Sequence, residues 1–218
     1  MTYLELVNDV LIRLREDEVT AVTDTSYSKL IGKFVNDAKR QVEDAYDWNA
    51  LSETLTVVTS AELFNYVLTD IGQRFRVIDV LNNTKETLMT LASTEQMNKW
   101  LLGVNGATIE RDFPRFYNFN GVDENGDTQV DLYPIPDGAY TLYFNVIKPQ
   151  PLLTEAATIL KIPAEPVIFL AYAKALAERG EDQGVTTNEA YQLFKESLSD
   201  HIAAEANRYP DEITWNWS

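Results

Sequence analysis

Along the first fifty positions the apolar residues recur at helical spacing. In TYLELVNDVLIRL, Leu4, Val7, Leu11 and Leu14 lie three or four apart, and Thr2 with Glu5 forms a capping-box pattern. A second stripe, Tyr27, Leu30, Ile31, Phe34, Val35, Ala38, Val42, Ala45 and Tyr46, predicts one long amphipathic helix over residues 23 to 48. From residue 51 the period changes. LSETLTVVT, ELFNYVL, QRFRVIDVL and ETLMTLA are short, rich in Thr, Val and aromatic residues, and separated by turn residues, so they read as strands. Ser93 and Gln96 open a short helix, STEQMNKWLLG, inside this β region.

Asn125-Gly126 and Pro136-Asp137-Gly138 flank QVDLYPI, and AYTLYFNVI follows, which predicts a three-stranded meander. Pro163 and Pro166 open a helix, VIFLAYAKALAER, that Gly180 stops. Thr186 and Glu189 form another capping box, starting a last helix that runs to about Asn207. Helices at the two ends of a chain pack together only if the insert leaves and returns at neighbouring points. The expected fold class is therefore α+β: a four-helix bundle from residues 1–50 and 156–208, an inserted antiparallel β-rich domain over 51–155, and an extended C-terminal tail, 209–218.

That tail, YPDEITWNWS, follows the last helix with Pro210 as its stop. Ile213, Trp215 and Trp217 alternate as an extended strand would present them to one surface, with Thr214 and Asn216 opposite. Tyr209, Ile213, Trp215 and Trp217 are accordingly the expected partner-binding residues.

Composition narrows the function. The 218 residues carry a net charge of −16, which repels nucleic-acid phosphate and anionic membranes, or serves solubility alone. There is no cysteine, so disulfides, thiolate nucleophiles and cysteine-ligated metals are excluded. The single histidine, His201, rules out a His-rich metal site and leaves one candidate base for any Ser-His-Asp arrangement. The first residues lack the basic region and cleavage site of a signal peptide, and no apolar run approaches the ~20 residues of a membrane span. The expected place of synthesis is a cytoplasm.

Motifs with chemistry are scarce. In VDENGDT, counting Asp123 as the first position puts Gly126 at the fourth, where a calcium loop of the EF type needs it at the sixth, so a hairpin turn competes with a loose cation site of Asp123, Asp127 and Asp131. Gly32-Lys33 lacks the Ser or Thr and the first glycine of a phosphate loop. The 34 acidic residues guarantee carboxylate pairs without implying a glycosidase site. No catalytic residue, cofactor or metal ligand is expected. The aromatic strand AYTLYF puts Tyr140, Leu142 and Phe144 on one face, which suits either a core or a partner surface.

YSKLIGKFVNDAKRQVEDAYDW, GQRFRVIDVLNNT, QVDLYPIPDGAYTLYFNVIKPQ and ALAERGED resemble the head-to-tail adaptor (connector) proteins of tailed bacteriophages, especially the short-tailed type. The resemblance runs over nearly the whole chain and rests on no catalytic signature. It implies a virion structural protein in the neck between capsid and tail. Such a protein forms a homo-oligomeric ring, usually of twelve copies, that joins the portal protein to the tail nozzle or tail tube. DNA passes through its channel without specific binding, and its C-terminal segment reaches onto the portal. A tail nozzle or tail-completion component is the alternative within that class. A virion-associated cell-wall hydrolase and a free carbohydrate-binding β module are alternatives outside it.

Overall fold

The computed structural model describes residues 1–103, 108–180 and 184–208. Its contacts divide the chain into two compact units, Met1–Leu51 with Gln150–Ser218, and Ser52–Pro149.

In the first unit, helix α1 (Tyr3–Arg13) starts at the anticipated capping box. The Thr2 hydroxyl accepts the Glu5 N–H at 3.3 Å, and the Glu5 carboxylate accepts the Thr2 N–H at 2.8 Å. Its buried stripe is Tyr3, Leu6, Val7, Val10 and Leu11, while Leu4 is only half-buried. Helix α2 (Ser26–Ala45) is capped by Thr25 and buries Ile31, Val35, Ala38 and Val42. Gly32 has a packing task here, because a Cβ at this position would overlap the Tyr3 hydroxyl. Helix α4 (Ala164–Arg179) begins after Pro163 and ends at Gly180, whose φ of 66° is the left-handed conformation that glycine adopts without strain. The last helix, α5 (Val185–Arg208), starts one residue ahead of Thr186. The Asn188 N–H bonds the Gly184 carbonyl at 2.9 Å, so Thr186 lies in the first turn rather than capping it.

These helices do not close into the expected four-helix bundle. Helix α4 packs against α1, α2 and α5, and α1 packs against α2, but α5 has no comparable contact with α1 or α2. The cause is composition. The segment VIFLAYAKALA is apolar around its circumference and needs cover on several sides, so α4 becomes the centre. In α5 only Ala190, Phe194 and Ser197 are buried, a stripe one helix wide. Helix α3 (Thr94–Leu101), capped by Ser93, lies in the second unit, where the sequence placed a short helix within the β region.

The second unit holds two four-stranded sheets. With β1 (Ser52–Val58), β2 (Asn65–Val67), β3 (Arg76–Asn82), β4 (Thr87–Leu88), β5 (Thr90–Leu91), β6 (Phe116–Val122), β7 (Thr128–Tyr133) and β8 (Thr141–Ile147), the orders are β1-β8-β3-β4 and β2-β7-β6-β5. One core takes residues from both sheets: Val80, Leu142, Phe144 and Val146 from the first, Tyr117, Val130 and Leu132 from the second. ETLMTLA is not one strand. The Met89 N–H bonds Val80 in one sheet at 2.8 Å, the Thr90 N–H bonds Arg115 at 2.9 Å, and the buried Met89 marks the crossing to the other sheet. The expected meander is also broken. β6 and β7 form a hairpin over Asn125-Gly126, but β8 leaves them to lie between β1 and β3. Pro134 and Pro136 follow β7 and have no N–H for a ladder, so the chain departs there.

The first and last strands pair directly, Ser52 opposite Ile147, so this unit's two ends are adjacent. In the first unit the exit, Leu51, follows α2 closely, and the return is fastened to the same helix. Lys39 and Glu43, 1% and 2% exposed, form an ion pair of 3.1 Å one turn apart on α2. The Lys39 ammonium donates to the Gln150 carbonyl at 2.5 Å, and Glu43 accepts the Gln150 N–H at 3.1 Å. One turn earlier, the Asn36 amide donates to the Leu153 carbonyl at 3.1 Å and accepts the Leu153 N–H at 2.8 Å. The Gln150 side chain then bonds Ile159 and Lys161 at 2.8 and 3.0 Å.

Removing one partner of such a buried pair strands the other charge. Lys39→Met is expected to cost about 3–5 kcal/mol, read by urea denaturation. Lys39→Met with Glu43→Leu should cost clearly less than the sum of the two single changes, a coupling that a double-mutant cycle measures directly. Additive effects would contradict the pairing.

Candidate functional site

The described residues contain one grouping of nucleophile, base and acid. Ser197 and His201 lie a turn apart on α5, facing Glu165 at the start of α4. Its geometry is wrong for nucleophilic catalysis. The Ser197 hydroxyl is 3.2 Å from the Glu165 carboxylate and only 3.5 Å from His201 Nδ1. His201 Nδ1 is 2.8 Å from the Ser197 backbone carbonyl, which fixes it as the protonated nitrogen and so unable to take a proton from Ser197. Nε2 points toward Glu165 at 4.0 Å, too far for a hydrogen bond. The trio joins α5 to α4.

The three aspartates of the candidate cation site have separate tasks. Asp123 accepts the N–H groups of Asn125 at 2.9 Å and Asp127 at 2.8 Å, closing the β6–β7 hairpin. Asp127 accepts those of Asp70 and Gly72, both at 2.9 Å. Asp131 accepts the side-chain amides of Asn65 at 2.7 Å and Asn120 at 2.8 Å. Among the described residues no cluster of His, Cys, Asp or Glu is arranged to hold a metal ion. A shallow acidic depression lies beside the α1–α2 connection, lined by Glu16, Asp17, Glu18 and Asp24. Asp24 accepts from both the Thr20 and Ala21 N–H groups, at 2.9 and 2.7 Å, and Asn8 clamps Val19 at 2.9 and 3.0 Å, so its polar groups build the loop. No helix among the described residues is long and apolar enough to cross a membrane.

The segments that carry the sequence resemblance turn out to organise the fold. In Ala-Tyr-Asp-Trp, Trp48 is 1% exposed and its indole N–H donates to the Val42 carbonyl at 2.7 Å, covering the end of α2. In Leu-Tyr-Pro-Ile-Pro-Asp-Gly, Tyr133 stacks on Trp100 of α3 at 4.6 Å and Ile135 is buried beside it, which anchors the crossing from β7 to β8. In Ala-Glu-Arg-Gly-Glu-Asp, Arg179 donates to the Tyr27 hydroxyl at 2.8 Å and the Leu14 carbonyl at 3.3 Å, and pairs with Glu16. One guanidinium thereby ties together the end of α1, the start of α2 and the end of α4.

What remains is surface. Of the two readings of the aromatic strand, the core reading is the observed one: Leu142 and Phe144 are fully buried. The opposite face of that sheet is polar, a row in which Asn145 bonds Thr54 at 2.6 Å and Asp79 at 2.7 Å. β1 forms one outer edge of the sheet, with no strand beyond it among the described residues. The largest uncovered element is α5, whose 24 residues bury three. Tyr191 and Leu193 are exposed along it. Its openness was missed in the sequence, although the signal was present: only one large apolar residue, Phe194, falls on its buried stripe. Tyr209, Ile213, Trp215 and Trp217, the expected partner-binding residues, lie outside the described residues.

With this geometry in place, the comparisons are specific. A family model described as SU10 adaptor protein matches residues 1–214. A comparison with curated proteins found no match.

The hairpin carboxylate gives a pH test. The backbone N–H of Asp127, with further help from Asn125 and Gly126, holds the Asp123 carboxyl below its usual range. Its stabilisation is therefore complete above the unfolded pKa of about 3.9 and is lost as pH falls through the lower folded value. Asp123→Ala should be less stable than the parent at neutral pH, and the gap should narrow in denaturation curves taken at pH values falling below about 4. A gap independent of pH would refute the assignment.

Proposed function

The chain belongs to the SU10 adaptor protein family, and from that premise we propose that it is a virion structural protein that forms a ring joining the portal to the tail and continuing the DNA channel. The family match over residues 1–214 carries the proposal. It already gives the coarser role, a structural adaptor of a tailed phage in contact with other virion proteins of the head–tail region, and a structural family points away from an enzyme.

Three features support the finer reading. The first unit offers a long helix whose sides are mostly uncovered, as lateral packing between copies requires. The net charge of −16 disfavours a grip on passing DNA, so the lumen would conduct the duplex without binding it. The trio of Ser197, His201 and Glu165 lacks hydrolase geometry, so the cell-wall hydrolase reading draws no support from it.

In this proposal the ring holds about twelve copies, the number usual for adaptors of this kind, and residues 209–218 dock on the portal. Tyr209, Ile213, Trp215 and Trp217 are the anchors, since buried aromatic side chains commonly dominate interface energetics. The partner beyond the ring is the tail nozzle or tail tube.

Mixing the protein with portal rings should give a complex whose mass, by size-exclusion chromatography with light scattering, adds a defined ring of adaptor copies. Absence of any complex would overturn the proposal. Cross-links within purified virions to the nozzle but not to the portal would instead assign the protein one ring further out. Trp215→Ala with Trp217→Ala should weaken portal affinity about 30-fold or more, with an unchanged helical circular dichroism signal. Unaltered affinity would remove the tail from the interface.

A further inference from the structure

On α2, the exposed basic residues Lys29, Lys33 and Arg40 are spaced by four and then seven residues. On α5, the exposed acidic residues Glu189, Glu196 and Asp200 are spaced by seven and then four. At 3.6 residues per turn, each trio falls within about 40° of arc and so forms a straight row about 16 Å long. The two rows carry opposite charge and the same spacing read in opposite directions. Among the described residues, none of the six side chains has an ion pair or hydrogen bond of its own. Such a basic row is unusual on a chain of net charge −16.

The rows do not neutralise each other within one copy. Helices α2 and α5 both pack on α4 and lack a comparable contact between themselves. Each row is also clear of its own helix's buried face. The α5 row lies about 100° from the stripe of Ala190, Phe194 and Ser197, and the α2 row about 160° from the stripe of Ile31, Val35 and Val42. Leu193, 47% exposed, lies in the acidic row between Glu189 and Glu196 and supplies apolar area at its middle. Lys195 stands about 120° off the acidic row and Asp37 about 60° off the basic one; Asp44, about 40° from the basic row, lies one turn beyond its end at Arg40.

We propose that α5 of one copy lies antiparallel against α2 of the next, pairing Glu189 with Arg40, Glu196 with Lys33 and Asp200 with Lys29. The occupant of both faces is a second copy of this chain. The contact is heterologous: every copy donates an acidic row on one side and a basic row on the other, which propagates from copy to copy and ends only by closing a ring. This rests on the ring reading above and adds to it the surfaces that meet and their polarity.

The absence of cysteine makes the test clean. A double variant, Lys33→Cys with Glu196→Cys, is assembled on portal and treated with a short bis-maleimide. On a denaturing gel, a ladder extending well past the dimer is expected. No cross-link, or cross-linking that stops at a dimer, would overturn the heterologous contact.

A charge exchange provides the second arm. Reversing all three α2 residues to Glu, or all three α5 residues to Lys, should raise the concentration needed for assembly about tenfold or more, because three attractive pairs become repulsive. Combining both reversals in one chain should restore it, and full assembly should weaken with added salt. Failure of the combined variant to recover, while each single set assembles poorly, would overturn the pairing, as would single sets that assemble like the parent. If the unmodified protein forms no ring with portal, the ring reading itself falls and this one falls with it. If that protein does form rings and only the cysteine and charge results fail, the ring reading stands.

Discussion

A buried ion pair governs the organisation of this chain. Lys39 and Glu43 are enclosed on α2, where isolated charges would be intolerable, and each is completed by the backbone of Gln150. Gln150 is the first residue of the returning segment. The returning segment gives one backbone group to each member of the pair, and the pair holds that segment at Gln150. Asn36 repeats the logic a turn away on Leu153. A chain interrupted by a large insert therefore rejoins its first two helices at one register, which fixes where α4 begins its descent between them.

From there the hierarchy follows burial. Helix α4 is apolar around its circumference and takes the centre; α1, α2 and α5 gather on it according to the width of their own stripes. Arg179 ties the far end of this arrangement, reaching α1 and α2 from the last turn of α4. The segments whose sequence resembles adaptor proteins lie at structural junctions: Trp48 closes the end of α2, while Arg179 and the Tyr133 to Gly138 crossing each hold two or more elements together.

Local signals were legible and long-range ones were not. Thr2, Ser93, Pro163 and Gly180 mark real helix ends because capping is decided by residues three or four apart. Asn125-Gly126 marks a real hairpin for the same reason. The partition of strands between two sheets depends on partners up to about a hundred residues away, which is why ETLMTLA looked continuous and β8 looked like a neighbour of β7. Lys39 and Glu43 look like solvent-facing charges on any helical wheel until Gln150 is known to lie beside them. The exposed side of α5 was readable from its scarcity of apolar residues but was masked by the expectation of a bundle. The tail was read from the alternation of Ile213, Trp215 and Trp217 and from the family resemblance, and stays a proposal.

Topology also sets the order in which this protein can mature on the ribosome. The last strand of the second unit, β8, is hydrogen-bonded on both sides, to β1 and β3. Its sheet consequently has a gap at its centre until residue 147 has emerged. Helices α1 and α2 wait longer, because the faces on which α4 packs stay uncovered until Ala164–Arg179 is made. At roughly 5–20 residues per second, the nascent chain displays those faces for several seconds or more. Nesting one folding unit inside another thus turns a sequence arrangement into a period of dependence on chaperones, served before any copy is fit to meet its neighbours.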